Sequence, residues 1–448
     1  MNSNNLMDLE ASFEQLVNGL LTELKPEEFL TMGLTGEQTQ FVRFNRAKVR
    51  QTGCITDCQI TLTLMHDQRV ASRDFPLTGD RPLDYHEALA ALEDLRQEVP
   101  QLPVDPYLVL PAGEATSREI HTGKLLDPNN VVAAILPEAA GLDFAGIYAG
   151  GAQLRAYADS VGQKHWFSTE SFSLDYSIFT ASDQAVKGTF AGSHWDANAY
   201  TAKLAESKLQ LERMVQPPKS IPKGQYRTYL APAAIAELVS MFSWGGVSES
   251  ALQQGNSAWG PLQRGEKLLS PAFTLKENFS RGLVPRFNEL GEIAPIALPL
   301  ITNGQLVNTL VSSRTAKEYG KLANGASSGE YLRSPEIAPG SLPHADILTA
   351  LDTGLYVSNL HYLNWSDRPT ARVTGMTRYA CFWVENGQIV APIENLRFDE
   401  SLYRCFGENL IALTETQEFA PEVGTYDHRQ LGGSWVPGVL VEGFTYTL

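Results

Sequence analysis

Residues Gln216-Pro-Pro-Lys-Ser-Ile-Pro-Lys-Gly224 hold three prolines and a closing glycine, and no regular element can run through them. Each proline lacks a backbone N–H and fixes φ, so a helix or an inner strand would lose hydrogen bonds there. The segment divides a chain of 448 residues into two parts, each long enough to bury its own core. The expected organisation is an N-terminal domain over residues 1–215, a linker over 216–224 and a C-terminal domain over 225–448.

The first part reads as mixed α and β. An amphipathic helix is expected near residues 9–24, followed by short strands over 39–44, 58–64 and 68–75. Ile60, Leu62 and Leu64 alternate with polar neighbours at period two, which places one face of a strand inward. His66-Asp67-Gln68 supplies a turn, so these strands form an antiparallel meander. Asp84-Tyr-His-Glu87 has the spacing of a capping box ahead of a helix bearing Leu89, Leu92 and Leu95. A short helix near 129–135, strands near 166–180 and a helix over 198–215 complete this half. Tyr200, Leu204, Leu211 and Val215 share one side of that last helix.

The second part opens with a helix over 232–242. Pro232 suits its first position, where a missing N–H does no harm, and Ile235, Leu238, Val239 and Phe242 repeat as a buried face. Strands follow to the C-terminus. Asn303-Gly304 and Asn386-Gly387 sit between apolar segments, the strongest short hairpin signal. The fold class is α+β: a mixed N-terminal domain and a mostly antiparallel sheet or barrel after the linker.

Composition excludes several functions. With 35 basic and 51 acidic residues the formal charge is −16, which disfavours nucleic acid as a general partner. No apolar run approaches the roughly 20 residues of a membrane span, and Met1 to Glu10 has neither a basic nor an apolar leader region. Cys54, Cys58, Cys381 and Cys405 are too few for a disulfide framework and read as buried thiols. These features together place the protein in the cytoplasm. No phosphate-binding loop, no G-x-S-x-G elbow and no zinc-finger cysteine pairs occur.

Two stretches carry a family resemblance. Residues 287–306 read F-N-E-L-G-E-I-A-P-I-A-L-P-L-I-T-N-G-Q-L, followed by S-S-R-T-A-K-E-Y-G over 312–320. Residues 354–360 read G-L-Y-V-S-N-L, with V-T-G at 373–375 and C-F-W-V-E-N-G-Q-I at 381–389. Both resemble the TldD/PmbA family, and Asp67-Gln-Arg-Val-Ala-Ser72 resembles the family's D-G-R-x-G-x-A-S strand with both glycines lost. The resemblance implies a two-domain protein of a peptidase system whose paired subunits act on unfolded or leader peptides.

It also implies where metal chemistry would lie. In the family's catalytic branch, the helix after the linker carries H-E-x-x-x-H, with two zinc-binding histidines and a glutamate as general base. This chain has Pro232, Ala233 and Glu237 at those places. Proline has no donor for a metal, and alanine cannot take a proton. The family's further cysteine ligand, near the C-terminus, is also missing: residues 423–433 read V-G-T-Y-D-H-R-Q-L-G-G, where His428 is the one alternative, and Cys405 lies too far upstream. The chain resembles the PmbA (TldE) branch, which lacks the zinc motif, although that branch usually keeps a glutamate at the place of Ala233.

The expected function is therefore a non-catalytic partner, with no catalytic residue and no metal of its own. Zinc is expected in a TldD-type subunit with which this chain forms a heterodimer. His361, Asn364 and Asp367, in Leu360-His-Tyr-Leu-Asn-Trp-Ser-Asp367, are candidates for contact with an extended peptide. His86-Glu87 and His194-Trp195-Asp196 are read as structural. Two alternatives compete: a divergent peptidase or amidohydrolase with a relocated site at His361, His428, Asp367 and Glu237, or a homodimeric peptide-binding protein.

Overall fold

The computed structural model describes residues 3–447. Met1 and Asn2, which enter the reading of the chain's start, lie outside the described residues. A seven-stranded sheet occupies the first half of the chain. Its order is Arg69–Pro76, Lys48–His66, Phe29–Asn45, Asp143–Asp159, Lys164–Phe179 and Thr116–His121, and Ala185–Gly192 also pairs with Lys164–Phe179. The pairings are antiparallel except for Thr116–His121.

The strands run much longer than the alternation suggests. Phe29–Asn45 and Lys48–His66 form one long hairpin, turned at Arg46 and Ala47 with φ of 52° and 50°. Neither residue announces a turn, so the sequence does not reveal this one. The expected turn after His66 is present, with Asp67 and Gln68 at φ of 49° and 57°. Helices Ser3–Leu21 and Arg81–Glu98 cover one face, burying Leu16, Leu20, Leu92 and Leu95 against Leu62 and Leu154.

The capping box at Asp84 and Glu87 is corrected by the structure. The helix begins at Arg81 and its cap is Asp80, whose carboxylate accepts from Leu83 N at 3.2 Å. Asp84 lies inside the first turn, buried, and accepts from Thr78 N, Thr78 Oγ1 and Gly79 N at 2.8, 2.7 and 2.9 Å. It ties the preceding loop to the helix, while Glu87 is exposed. Asp84→Ala strands these donors and is expected to cost about 2–3 kcal/mol, against about 1 kcal/mol for Asp80→Ala. Urea unfolding of the two variants measures the difference, and equal losses would contradict this assignment.

The second half forms a thirteen-stranded sheet. Gly433–Tyr446 is its hub, pairing with Gly224–Leu230, Pro335–Ile337, Arg397–Ser401 and Leu410–Pro421. Pairing is mostly antiparallel, with parallel contacts of Pro335–Ile337 to Gly433–Tyr446 and of Gly354–Val357 to Gly224–Leu230. Both Asn-Gly hairpins form, between Ala297–Thr302 and Gln305–Leu306 and between Phe382–Glu385 and Gln388–Pro392. Short helices such as Glu249–Gln253 and Ser313–Tyr319, which the sequence does not signal, interrupt the strands.

Helix Ala197–Met214 packs between the halves. Its Tyr200 and Leu204 share a core with Phe144 and Tyr176 of the first sheet and with Phe382 of the second. Val215, expected on its buried side, is exposed beyond the helix end. Cys54 is exposed whereas the other three cysteines are buried, and all four are free thiols. Among the described residues, no helix is long and apolar enough to cross a membrane.

Candidate functional site

Helix Pro232–Ser243 follows the strand Gly224–Leu230, with Pro232 in its first turn as expected. Ala234, Ile235, Leu238, Val239 and Phe242 are buried in the second core. The opposite face borders a cavity of 660 Å³, onto which Pro232, Ala233, Ala236 and Glu237 open. All three positions of the degenerate motif thus share one wall of this cavity.

Both halves of the chain build this chamber. Lys187 to Thr189 come from strand Ala185–Gly192 of the first sheet, and Glu418 to Pro421 from strand Leu410–Pro421 of the second. Each strand pairs on one side only along these segments, so two sheet edges border the chamber. Glu206, Gln210, His344 and Tyr356 also line a neighbouring cavity of 560 Å³, so the two spaces adjoin along helix Ala197–Met214. The result is a pair of adjoining hollows with a mixed polar and apolar lining.

Its electrostatics are uneven. Lys187 Nζ meets Asp175 at 2.9 Å, and Lys203 Nζ meets Glu418 at 3.0 Å and Glu206 at 3.6 Å. Burial works against the Lys203 charge, but Glu418 and Glu206 outweigh it and raise its pKa. Burial pushes the Glu237 carboxyl up; neighbouring Glu422 adds to this, and Lys187 opposes it. Burial raises Glu422 likewise. Both glutamates are open to the cavity yet ringed by protein. The ring governs their titration, because a charge is stabilised by the polarisable volume around it more than by the surface it shows.

The remaining wall is a loop held from the first sheet. Glu422, Val423, Gly424, Gln430 and Leu431 face the chamber, and Arg429 between them plunges into the N-terminal sheet. Its guanidinium donates to Gly151 O at 3.3 Å, Ser171 O at 3.0 Å and Ser171 Oγ at 2.7 Å. Gln153 Nε2 donates to Arg429 O at 2.8 Å, and Arg429 N donates to the buried Glu37 at 3.3 Å. Burial lowers the Arg429 pKa to about 10, with Glu37 opposing.

The peptide candidates His361, Asn364 and Asp367 lie elsewhere, on the hairpin of Asn359–Asp367 with Arg372–Arg378. Ser358 and Asn359 border the chamber, but the three candidates do not. Asp367 accepts from Thr370 Oγ1 at 2.6 Å, and Asn364 is exposed opposite Thr374. Burial, Arg378 and Lys187 lower the His361 pKa. Asp196 caps helix Ala197–Met214, which accounts for His194-Trp195-Asp196. His428 sits beside Arg429 in the wall loop, not among the residues that face the chamber.

Among the described residues, no three His, Cys, Asp or Glu side chains gather into a group able to hold a metal. Pro232, Ala233 and Glu237 offer one donor residue in place of three functional ones, so this wall does not fit the zinc of the resembling family. Sequence reasoning found the helix and missed Glu422, Lys187, Lys203 and Arg429. Charged residues on a strand, on a polar helix and in a Gly-containing loop read as solvated, and nothing in their spacing says otherwise.

The described fold has known counterparts. The family model for the PmbA/TldA metallopeptidase C-terminal domain matches residues 223–448. No curated protein matches. Among solved structures, TldE from Thermococcus kodakarensis superposes with a TM-score of 0.77 at 14% identity, over 98% of this chain and 100% of that one. A candidate DNA gyrase modulator from Thermotoga maritima gives 0.76 at 14% identity, over 98% and 100%. One from Bacteroides thetaiotaomicron gives 0.76 at 15% identity, over 98% of both chains.

Proposed function

Because the chain belongs to the PmbA/TldD metallopeptidase family, we propose that it serves peptide hydrolysis as a subunit without the metal. It walls a chamber and holds an extended peptide beside a TldD-type partner that carries the zinc. The observation behind this reading is a helix that borders a chamber without the donor side chains of a zinc site. Helix Pro232–Ser243 keeps its buried face and its place on a 660 Å³ chamber while proline, alanine and glutamate stand on the open side.

Two further features suit a peptide. The edges of Ala185–Gly192 and Leu410–Pro421 leave backbone donors and acceptors beside the chamber, and an extended chain could pair with either. Such pairing needs no particular side chain, so it tolerates unfolded substrates of varied sequence. The adjoining 560 Å³ cavity gives room for a ligand longer than a few residues. The same reading places the protein in the cytoplasm, where its four free thiols stay reduced.

Elemental analysis tests the proposal on protein purified without chelator or metal affinity resin. The isolated chain should carry almost no zinc, and a mixture with the host's TldD-type chain about one zinc per pair. Stoichiometric zinc in the isolated chain would overturn the proposal. Failure of the two chains to co-elute would favour a homodimeric peptide-binding protein instead.

A further inference from the structure

The chamber's two lysines and its arginine are all engaged. Lys187 and Lys203 have carboxylate partners, and Arg333 donates to the carbonyls of Pro285, Phe287 and Gly325. Glu237 and Glu422 are left over. Among the described residues neither side chain makes a hydrogen bond or ion pair, and the strongest influence each feels besides burial is, for Glu237, the repulsion of Glu422. Two carboxylates that share a space and repel one another favour the uptake of a proton or of a cation between them.

A second, independent observation comes from the same cavity. Tyr229 is 2% exposed and lines the chamber, and among the described residues its hydroxyl makes no hydrogen bond. The hydroxyl borders the cavity, where a polar group of a ligand can take the place of solvent. The ring of Tyr356 lies 5.3 Å away on the same wall. Carboxylates combined with tyrosine rings are the surroundings that bind ammonium and guanidinium groups.

We infer that the chamber selects peptides by a cationic group, a lysine or arginine side chain or a free N-terminal ammonium, received by Glu237 and Glu422. The Tyr229 hydroxyl bonds a polar group of the same ligand. This rests on the proposed peptide-holding function and names its substrate class. The net excess of carboxylates steers such a peptide inward and disfavours an acidic one.

Fluorescence anisotropy with the full chain tests it, using C-terminally labelled decapeptides of one length in low salt with EDTA. The peptides carry lysine, glutamine or glutamate at the same positions, each with a free or an acetylated N-terminus. The lysine peptide is expected to bind about tenfold more tightly than the glutamine peptide, and Glu237→Gln with Glu422→Gln should abolish that preference without lowering the unfolding midpoint. A loss on acetylation instead would assign the cation to the N-terminus, again dependent on the two glutamates. Equal affinity for all peptides, or a preference that survives the double variant, would sink the inference and leave peptide holding intact. No binding of any peptide, alone or with the TldD-type chain, would overturn peptide holding itself.

Discussion

Replacing Phe242 by alanine is expected to lower the unfolding free energy by about 3–5 kcal/mol. The side chain is 2% exposed, and its ring meets Trp259, Phe406 and Phe273 at centroid distances of 5.5, 5.8 and 6.5 Å. Removing it takes apolar surface out of the core and leaves a hole that three rigid rings cannot close by rotating. Helix Pro232–Ser243 would then lose the anchor that presents Glu237 to the chamber. Ala233→Gln, on the open face of the same helix, should change stability by no more than about 0.5 kcal/mol. Urea denaturation of both variants checks the contrast. A Phe242→Ala midpoint close to that of the unaltered chain would show that this helix is not held by its buried face.

Arg429→Ala should cost a similar amount, about 3–5 kcal/mol, for an electrostatic reason. The substitution strips hydrogen bonds from Gly151 O, Ser171 O and Ser171 Oγ, and removes the positive charge near the buried Glu37. Thr39 Oγ1 would remain as a donor to Glu37, at 2.6 Å. Arg429→Lys keeps the charge but not the planar fork, so it should restore less than half of the loss. The effect has a local signature too. The wall loop carries Tyr426, which is 99% exposed, and once untied it should be cut by chymotrypsin sooner than in the unaltered chain. Unchanged stability and unchanged cleavage would mean that the loop holds its place without Arg429.

The parts of the fold legible in the sequence are those set by neighbours along the chain. The period-two run of Ile60, Leu62 and Leu64, the buried stripe of Ile235, Leu238 and Phe242, and the Asn-Gly turns at 303 and 386 each appear as expected. The Arg46-Ala47 turn was not legible, because its left-handed backbone is imposed by the pairing of two long strands. Asp84 was read as a cap for a related reason. Its spacing to Glu87 is that of a capping box, but Asp80 and Pro82 start the helix earlier, and burial decides which acid faces inward.

The candidate site divides along the same line. Sequence alone determined that Pro232, Ala233 and Glu237 cannot supply the donors of a zinc-binding helix, since that follows from side-chain chemistry at fixed spacing. It also determined that the helix itself would form. Only the tertiary structure decided that this helix borders a chamber shared by two sheets, that Glu422 from almost 200 residues away joins Glu237 there, and that His361, Asn364 and Asp367 lie on a hairpin beside it. Local sequence fixes which groups a segment can present, through its period and its caps. Which groups then meet depends on long-range pairing and burial, and those are properties of the whole folded chain.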